Sequence, residues 1–139
     1  MANTTVRDSM TANPKTVSPE TTAMEAAKLM ATEDVGSLPV IVDEQLVGIV
    51  TDRDLVIQLV ARGLDPKNVR IADVYTEQPA VASPDEQLDE ALERMAQEQV
   101  RRLPVVSDGH LVGMLAQADV ARSARPESTG QMVEEISAG

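Results

Sequence analysis

Leu38-Pro39-Val40 and Leu46-Val47-Gly48 each occur twice: further along the chain they return, at the same separation from each other, as Leu103-Pro104-Val105 and Leu111-Val112-Gly113. When Leu38 is placed on Leu103, the chain aligns with itself without a gap, and between Asp8 and Asp54 19 of 47 aligned pairs are identical. Ordinary composition would give roughly three identities over such a span. The chain is therefore a tandem duplication of one structural unit.

Each copy opens with a pattern typical of an α-helix. Ser18 is a capping residue, and Pro19 occupies the first helical position. The second copy has Ser83 and Glu86 at the spacing of a capping box. Apolar residues then recur at the spacing of one helix face: Ala23, Ala26, Ala27 and Met30 in one copy and Leu88, Ala91, Leu92 and Met95 in the other. We therefore predict a helix that begins at each Ser-Pro pair and packs one face on a core.

Two short apolar runs follow the helix and predict a β-hairpin. In the first copy they are Leu38–Val42 and Leu46–Val50. A second helix, capped by Thr51 or Asp52, comes next and ends at Gly63. The predicted inner face of this helix is Leu55, Val56, Leu59 and Val60. Short strands are predicted ahead of the first helices, at Thr16-Val17 and Val81-Ala82.

The order strand–helix–strand–strand–helix in each copy predicts an α/β (α+β) fold. Residues 6–63 form the first repeat, 64–70 a linker, 71–125 the second repeat and 126–139 a C-terminal tail that is either frayed or helical over 131–136. The hydrophobic fraction of 42% is sufficient for a packed core, but a repeat of about 60 residues is marginal alone. We therefore expect the two repeats to pack face to face with pseudo-two-fold symmetry.

Composition argues against several classes of protein. Aromatic residues make up 1% of the chain, with Tyr75 as the single example, so the core is aliphatic and offers no aromatic platform for nucleic-acid bases. The net charge of −11 repels nucleic acids and anionic membranes. There is no cysteine, His110 is the only histidine, and neither an activated nucleophile nor a phosphate-binding glycine-rich loop is present. These absences lead us to expect a protein that is not an enzyme. No secretory signal is recognisable either, so we expect the protein in the cytoplasm.

The repeated unit resembles the CBS domain. The resemblance rests on the Ser-Pro, Glu-Ala and Leu-Pro-Val pairings of each copy and on the segment Gly48-Ile49-Val50-Thr51-Asp52-Arg53-Asp54. It covers about residues 6–122, and two units in tandem resemble a CBS pair, or Bateman module. The resemblance implies a protein similar to small stand-alone bacterial CBS pairs, with adenine nucleotides bound in clefts between the repeats and with association into a homodimer.

Thr51 and Asp54 are the leading candidates for ligand contacts. A carboxylate can accept hydrogen bonds from both ribose hydroxyls, and a threonine hydroxyl can serve ribose or phosphate oxygens. The resemblance assigns the ribose to Asp54 with Thr51 in support, and it completes this cleft from the other repeat with residues 79–82 and two cations, Arg101 and Arg102. The predicted main cleft comprises Ile49, Thr51, Arg53, Asp54, Pro79, Ala80, Val81, Ala82, Arg101 and Arg102.

The same residues have plainer interpretations. Thr51 and Asp54 could do no more than cap a helix, and the two arginines could offset Glu93 and Glu98 on a solvated face. The first repeat has Gly36-Ser37 in place of the arginines, so the fold itself does not require them.

The second repeat departs from the motif. Ala116 replaces the threonine and Ala118 replaces the arginine, although Asp119 retains the carboxylate. We therefore predict asymmetry, with a second cleft that is weaker, selects another ligand or is empty. Its predicted lining is Asn13, Lys15, Thr16, Val17, Ser37, Ala116 and Asp119.

The sequence thus favours a regulatory module. AMP, ADP or ATP is the expected regulatory ligand, with no catalytic cofactor, and NAD and S-adenosylmethionine stay open because they share the ribose and adenine. The expected partners are a second copy of the chain and an unidentified protein that receives the signal, with no nucleic acid and no membrane. The competing hypothesis is a dimerisation or protein-interaction module with vestigial clefts.

Overall fold

The computed structural model describes residues 4–77, 80–118 and 120 of the chain. The α-helices are α1 (Val6–Ser9), α2 (Ala23–Glu33), α3 (Asp52–Leu55) and α4 (Leu88–Glu98). The strands are β1 (Thr11–Ala12), β2 (Ser37–Val42), β3 (Gln45–Thr51), β4 (Thr76–Glu77), β5 (Arg102–Ser107) and β6 (His110–Ala116). A π-helix (Val56–Val60) continues α3, and two 3₁₀ turns cover Pro66–Asn68 and Ile71–Asp73. This mixture of helices and antiparallel strands confirms the predicted fold class.

The chain forms two compact units that do not follow the repeat boundaries drawn from the sequence. One, which we call the continuous unit, is Lys15–Pro79; the other, the split unit, joins Met1–Pro14 to Ala80–Gly139. The repeats have therefore exchanged their opening segments. The α1–β1 segment packs with the second repeat, and the segment from Ile71 to β4 packs with the first.

Backbone hydrogen bonds and burial hold each exchanged segment in place. In the continuous unit, Ile71 N donates to the Thr21 carbonyl oxygen at 2.8 Å, and Ile71 is fully buried in the core. In the split unit, Val6 N donates to the Glu86 carbonyl oxygen at 3.0 Å, and Val6 is fully buried as well. Full burial of such a side chain contributes about 1.5–3 kcal/mol. Each repeat's core therefore depends on a residue that the other repeat supplies.

The segment predicted as a linker is built into the continuous unit. One 3₁₀ turn lies within it, and Ala23 N then donates to the Val69 carbonyl oxygen at 2.8 Å. Arg70 Nη1 donates to the Glu20 carbonyl oxygen at 2.6 Å. These two hydrogen bonds hold Val69 and Arg70 beside the start of α2, directly before the exchanged segment begins at Ile71.

Each unit contains three antiparallel strands within the described residues. In the continuous unit, β3 pairs with β2 and β4, and Ser37 lies opposite Thr51 at the end of the β2–β3 ladder. In the split unit, β6 pairs with β5 and β1 in the same way, and Arg102 lies opposite Ala116. The short strands predicted ahead of the first helices are reduced to single parallel bridges, Val17 with Val40 and Ala82 with Val105.

Gly48 marks the closest backbone approach in the continuous unit. A Cβ atom at this position would overlap the Tyr75 ring and the Thr76 carbonyl oxygen, so only glycine fits beside the exchanged strand β4. The equivalent Gly113 lies beside β1 in the split unit. There a Cβ atom would lie 2.6 Å from Met10 Sδ and 2.9 Å from the Thr11 carbonyl oxygen.

The first helix of each repeat begins later than predicted. Thr22 caps α2: its Oγ1 accepts from Glu25 N at 3.1 Å, and the Glu25 carboxylate accepts from Thr22 N at 2.9 Å. In the second repeat, Ser83 N does donate to Glu86 Oε1 at 2.9 Å, but this contact lies in a turn, and the helix begins at Leu88. The predicted helix starts at the Ser-Pro pairs are wrong because both pairs form turns ahead of the helix.

The second helix of the first repeat turns a different face to the core from the one predicted. Leu59 is buried and Leu55 half-buried, as predicted, but Val56 and Val60 are 52% and 73% exposed. Hydrogen bonding changes to the π pattern here, since Ala61 N donates to the Val56 carbonyl oxygen. The wider turn alters which side chains follow Leu55 toward the core, and Val56 and Val60 are therefore wrongly placed by an α-helical count.

The helical segment ends earlier than predicted. Its last residue is Val60, and Gly63, the predicted end, lies in the turn that follows with a φ of +69°. The C-terminal tail, with its predicted helix over 131–136, lies outside the described residues. Within the described part of the chain, no helix has the length and hydropathy to span a membrane.

Gly48→Ala is expected to destabilise the protein more than Gly113→Ala. The new methyl group overlaps a ring and a carbonyl oxygen at position 48, whereas at position 113 the nearest atom is the flexible end of Met10. Overpacking of this kind costs about 1–3 kcal/mol, and urea denaturation monitored by circular dichroism measures the two losses. An equal or larger loss for Gly113→Ala would contradict this account of the close approach at Gly48.

Candidate functional site

Thr51 and Asp54 meet where β3 passes into α3. Asp54 N donates to Thr51 Oγ1 at 3.0 Å, and Thr51 N donates to Asp54 Oδ2 at 2.9 Å. This reciprocal capping box fixes both side chains in half-buried positions. Among the described residues, Asp54 Oδ1 and the hydrogen of the Thr51 hydroxyl have no hydrogen-bond partner. The pair caps the helix and retains one acceptor and one donor for a ligand.

Ser37 lies directly opposite Thr51 in the β2–β3 ladder. Directly opposed residues of antiparallel strands place their side chains on the same face of the sheet. Ser37 is 8% exposed, and its Oγ has no hydrogen-bond partner in the described part of the chain. A buried hydroxyl without a partner costs about 1–3 kcal/mol, which a ligand atom could offset. Ser37, predicted for the second cleft, thus lies beside a residue predicted for the main one.

The split unit has different chemistry at the equivalent positions. Arg102 lies opposite Ala116, where the continuous unit has two hydroxyl side chains. Arg102 is half-buried and Arg101 is exposed. Within the described residues neither guanidinium forms an ion pair, and neither Glu93 nor Glu98 is a partner. Direct neutralisation of these acidic residues therefore does not account for the two arginines.

Sequence reasoning missed an ion pair that holds the Val81 segment. Arg94 Nη1 donates to the Val81 carbonyl oxygen at 2.8 Å and to Glu86 Oε1 at 2.9 Å, and Arg94 Nη2 donates to Glu86 Oε2 at 2.8 Å. The two side chains are 34% and 15% exposed. This bidentate pair ties the Val81 segment, which is predicted to line the main cleft, to α4 and fixes the direction of the Val81 carbonyl group. Opposite charges eight residues apart, on a turn and on the next helix, gave no local signal for it.

The same contacts shift the pKa values of both partners toward their charged forms. Hydrogen bonding to Arg94 is the main cause that lowers the pKa of Glu86, and the same bonds raise the pKa of Arg94. A carboxylate with a lowered folded-state pKa stabilises the protein above its unfolded pKa, and that stability is lost as the pH falls through the folded pKa. The first repeat has Thr21 and Leu29 at the equivalent positions, so the pair occurs in one repeat only.

The other predicted residues are distributed over both units. In the continuous unit, Ile49 and Thr16 are half-buried, Val17 is buried, and Arg53 and Lys15 are exposed. In the split unit, Asn13 and Val81 are exposed, Ala80 and Ala116 are half-buried, and Ala82 is buried. Pro79 and Asp119 lie outside the described residues. The predicted residues of each cleft are divided between the two units, and their convergence stays a prediction.

Arg94→Leu is expected to destabilise the protein, because Glu86 would keep its charge in a largely covered position without its partner. A loss of about 1–3 kcal/mol is expected at pH 7. The double variant Glu86→Thr/Arg94→Leu, which installs the residues of the first repeat, should lose less. The deficit of the single variant should shrink as the pH falls below 4.5, the ordinary pKa of glutamate, because the charge is then removed.

Chemical denaturation from pH 3 to pH 7 measures this difference (about four pH units bracket the glutamate titration). A single variant as stable as the wild type at pH 7, or a deficit that does not change with pH, would contradict the role given to the pair.

Comparison with known proteins gives relatives of similar length. The CBS domain-containing protein YhcV of Bacillus subtilis is 38% identical over 133 residues, which are 95% of this chain and 94% of that protein. A crystal structure of Hypoxic Response Protein I of Mycobacterium tuberculosis, with two coordinated zinc ions, is 37% identical with a TM-score of 0.81, over 88% of this chain and 100% of that one. The crystal structure of CBSX2 of Arabidopsis thaliana in complex with AMP is 32% identical with a TM-score of 0.76, over 86% of this chain and 94% of that one.

The described residues of this chain contain no set of side chains that could bind zinc ions as Hypoxic Response Protein I does. The chain has no cysteine, and its single histidine, His110, is exposed at the start of β6. No group of three or more His, Cys, Asp or Glu side chains that could hold a metal occurs in residues 4–77, 80–118 and 120. The residues present do not fit a zinc site of that kind.

The family match follows the internal duplication. The CBS domain matches residues 6–61 and again residues 71–125, which are the two copies that the self-alignment superimposes. The relatives that are 38% and 37% identical over most of the chain support the same assignment. The chain belongs to the CBS-domain family and carries two CBS domains in tandem.

Proposed function

We propose that this tandem CBS module is a regulatory protein that binds AMP, ADP or ATP at the Thr51–Asp54 junction. Asp54 holds the ribose, Thr51 and Ser37 contact neighbouring ligand oxygens, and Arg101 and Arg102 bind the phosphates. The proposed ligand is regulatory, and no catalytic cofactor takes part. The complex of the related CBSX2 with AMP supports the choice of an adenine nucleotide.

One observation carries the proposal: polar atoms without partners gather at one end of the β2–β3 ladder. They are Asp54 Oδ1, the Thr51 hydroxyl hydrogen and the buried Ser37 Oγ, among the described residues. Helix capping explains the Thr51–Asp54 contacts but gives no role to a buried hydroxyl on the same face. A carboxylate oxygen and two hydroxyls suit a ribose, whose vicinal hydroxyls both donate and accept hydrogen bonds.

The proposed wall for the base is aliphatic and held in place. Val81 is 38% exposed, and its carbonyl oxygen is occupied by Arg94. Ala82 N donates to the Pro104 carbonyl oxygen at 2.9 Å, and the Ala82 carbonyl oxygen accepts from Val106 N at 2.8 Å. The Val81 carbonyl group and both backbone groups of Ala82 are therefore occupied, and the exposed Val81 side chain offers apolar contact, which fits an adenine ring that lies against aliphatic side chains.

The chain passes from one compact unit to the other at two points, which we call the crossings: between residues 14 and 15 and between residues 79 and 80. Both crossings lie within the segments predicted to line the two clefts, so a bound ligand could act on the protein there. A nucleotide that contacts a crossing segment together with the Thr51–Asp54 junction would bind one arrangement of the units better than another. Such a ligand shifts the population by the difference in affinity, and an unidentified protein in the cytoplasm would receive the signal.

The second cleft is proposed to be weaker than the first. Ala116 lacks the hydroxyl that Thr51 provides, and Lys15 is the cation on the opposite side of the proposed cleft. Asn13 and Thr16 would line it, with Asp119 as the ribose carboxylate.

The competing function is a dimerisation or protein-interaction module with vestigial clefts. It is favoured by the exposed apolar side chains that follow α3, which a nucleotide-binding role leaves unexplained. A homodimer is compatible with both functions, so nucleotide binding is the property that separates them.

Asp54→Ala should abolish nucleotide binding, whereas Asp8→Ala should not. Asp8 is the matched control, because Asp8 Oδ2 accepts from Thr5 N at 3.0 Å in the same kind of helix cap. Each variant should lose about 1 kcal/mol of stability through its cap. In a thermal-shift assay, wild type and Asp8→Ala should gain about 2.7 kcal/mol at a nucleotide concentration 100 times Kd, and Asp54→Ala should gain nothing.

Arg101→Ala/Arg102→Ala separates the phosphate contacts from the ribose contact. This variant should bind ATP more weakly than wild type and adenosine equally well. Retention of the full thermal shift by Asp54→Ala would rule out the proposed site. If AMP, ADP, ATP, NAD and S-adenosylmethionine all fail to stabilise the wild type, the interaction module is favoured instead.

A further inference from the structure

The duplication gives each exchanged segment an internal comparison. We call residues 4–13, which pack in the split unit, the strap, and residues 69–77, which pack in the continuous unit, the counterpart segment. Three backbone hydrogen bonds hold each of them, at aligned positions and with lengths of 2.8 to 3.0 Å. The donor amides are those of Val6, Arg7 and Leu88 for the strap and those of Ile71, Ala72 and Ala23 for the counterpart segment. The backbone therefore does not distinguish the two segments.

The side chains of the strap offer less apolar contact than those of the counterpart segment. Val6 occupies the position of Ile71, and both are fully buried. Ser9 occupies the position of Val74, and these two are 7% and 8% exposed. The strap thus buries fewer methyl groups on the same backbone, and hydrophobic stabilisation falls with the apolar area that is buried. The strap is therefore held more weakly than the counterpart segment.

Two buried polar atoms weaken the contact of the strap further. Ser9 Oγ and Gln87 Oε1 have no hydrogen-bond partner among the described residues. Gln87 precedes α4 without capping it and lies opposite Thr5 of the strap in an antiparallel bridge. In the continuous unit the aligned residue is Thr22, whose Oγ1 accepts from Glu25 N. A buried polar atom without a partner favours states in which water reaches it, so both atoms favour release of the strap.

The strap ends at a residue with an unfavourable backbone conformation. Asn13 has a φ of 53°, in the left-handed region that residues other than glycine seldom adopt. Pro14 follows, and a residue before proline ordinarily prefers extended backbone. The chain passes to the continuous unit directly after this pair. Rotation at Asn13 would relieve the strain, which makes this residue the natural hinge of the strap.

Exposed ion pairs on the two segments do not reverse the comparison. Arg7 Nη2 of the strap lies 2.9 Å from Asp85 Oδ1, and Arg70 Nε of the counterpart segment lies 4.0 Å from Glu20 Oε1. In each pair the arginine is 57% exposed and the carboxylate 82% exposed. Solvent-exposed pairs contribute little to stability, so the buried side chains decide the difference.

We infer that the strap is a releasable element: in a small fraction of molecules, residues 4–13 detach together while the rest of both units stays folded. The opening uncovers the place of Val6 in the core of the split unit and the edge of β6 along which β1 pairs. Contiguous segments with few apolar contacts open in this way as cooperative units. Asn13 also belongs to the predicted lining of the second cleft, so a ligand or partner that holds Asn13 would hold the strap closed.

Hydrogen exchange of the full-length protein, followed by NMR amide by amide, tests this inference. The amides of Val6, Arg7 and Leu88 lose their acceptors when the strap opens and should share one opening equilibrium. Their protection factors should be at least about tenfold lower than those of the three aligned amides of the continuous unit. Val106 N, which donates to the Ala82 carbonyl oxygen in the split unit, should keep higher protection.

Equal protection of the two sets of aligned amides, or a Val106 amide that exchanges as fast as that of Val6, would overturn the inference. The measurement is made without nucleotide and leaves Thr51 and Asp54 unchanged. Its outcome is therefore independent of the proposed function, and failure of one leaves the other standing.

A reversible disulfide locks the strap within one variant. Thr5 and Gln87 are a non-hydrogen-bonded antiparallel pair, because the flanking bonds are made by Val6 N and Leu88 N. The Cα atoms of such a pair are about 4.5 Å apart, which a disulfide can span. The chain has no cysteine of its own, so Thr5→Cys/Gln87→Cys carries one pair of thiols.

In the oxidised form of this variant, the amides of Val6 and Arg7 should be protected as strongly as that of Val106. Reduction should restore their faster exchange. Oxidised and reduced forms that show the same difference between Val6 and Val106 would contradict release of the strap, because the disulfide joins the strap to the residue that precedes α4.

Variants at Ser9 test the cause assigned to the weak contact. Ser9→Val installs the residue of the counterpart segment and should slow exchange of the Val6 and Arg7 amides several-fold, with the Val106 amide unchanged. Ser9→Ala removes the hydroxyl without added volume and should act in the same direction, even if the valine proves too large. Faster exchange of the strap amides in Ser9→Ala would contradict the role given to the unpartnered hydroxyl.

Discussion

Burial of Val6 and Ile71, each in the core of the repeat to which it does not belong in sequence, is the constraint on which the rest of the structure depends. Neither repeat has a complete core without this exchange, and each also gains a strand along its sheet. Gly48 and Gly113 make room for those strands because neither position carries a side chain. The exchange takes the chain from one compact unit to the other twice, and the proposed ligand-lining segments lie at those crossings.

The duplicated backbone carries two different chemistries. One repeat opposes the hydroxyls of Ser37 and Thr51, whereas the other opposes Arg102 and Ala116. The Arg94–Glu86 pair, which orients the Val81 carbonyl group, is likewise confined to the second repeat. The two units therefore differ in chemistry at equivalent positions of the duplicated backbone.

The sequence predicted the duplication, the hairpins and the aliphatic core, because each depends on local patterns that occur twice. It could not predict the exchange of opening segments, since the alignment of the chain with itself looks the same whichever repeat the segment joins. The helix starts were misplaced because Ser18 resembles a cap until the reciprocal contacts of Thr22 and Glu25 are known. Val56 and Val60 were assigned to the core because an α-helical count does not foresee a π turn.

The capping-box residues of α3 carry the proposed ribose contact. The central claim is that a single nucleotide engages the repeat that retains Thr51. Isothermal titration calorimetry of the full-length protein with AMP tests it most directly. The account predicts one tightly bound nucleotide per chain, whereas two equivalent nucleotides per chain, or no heat of binding at all, would contradict it.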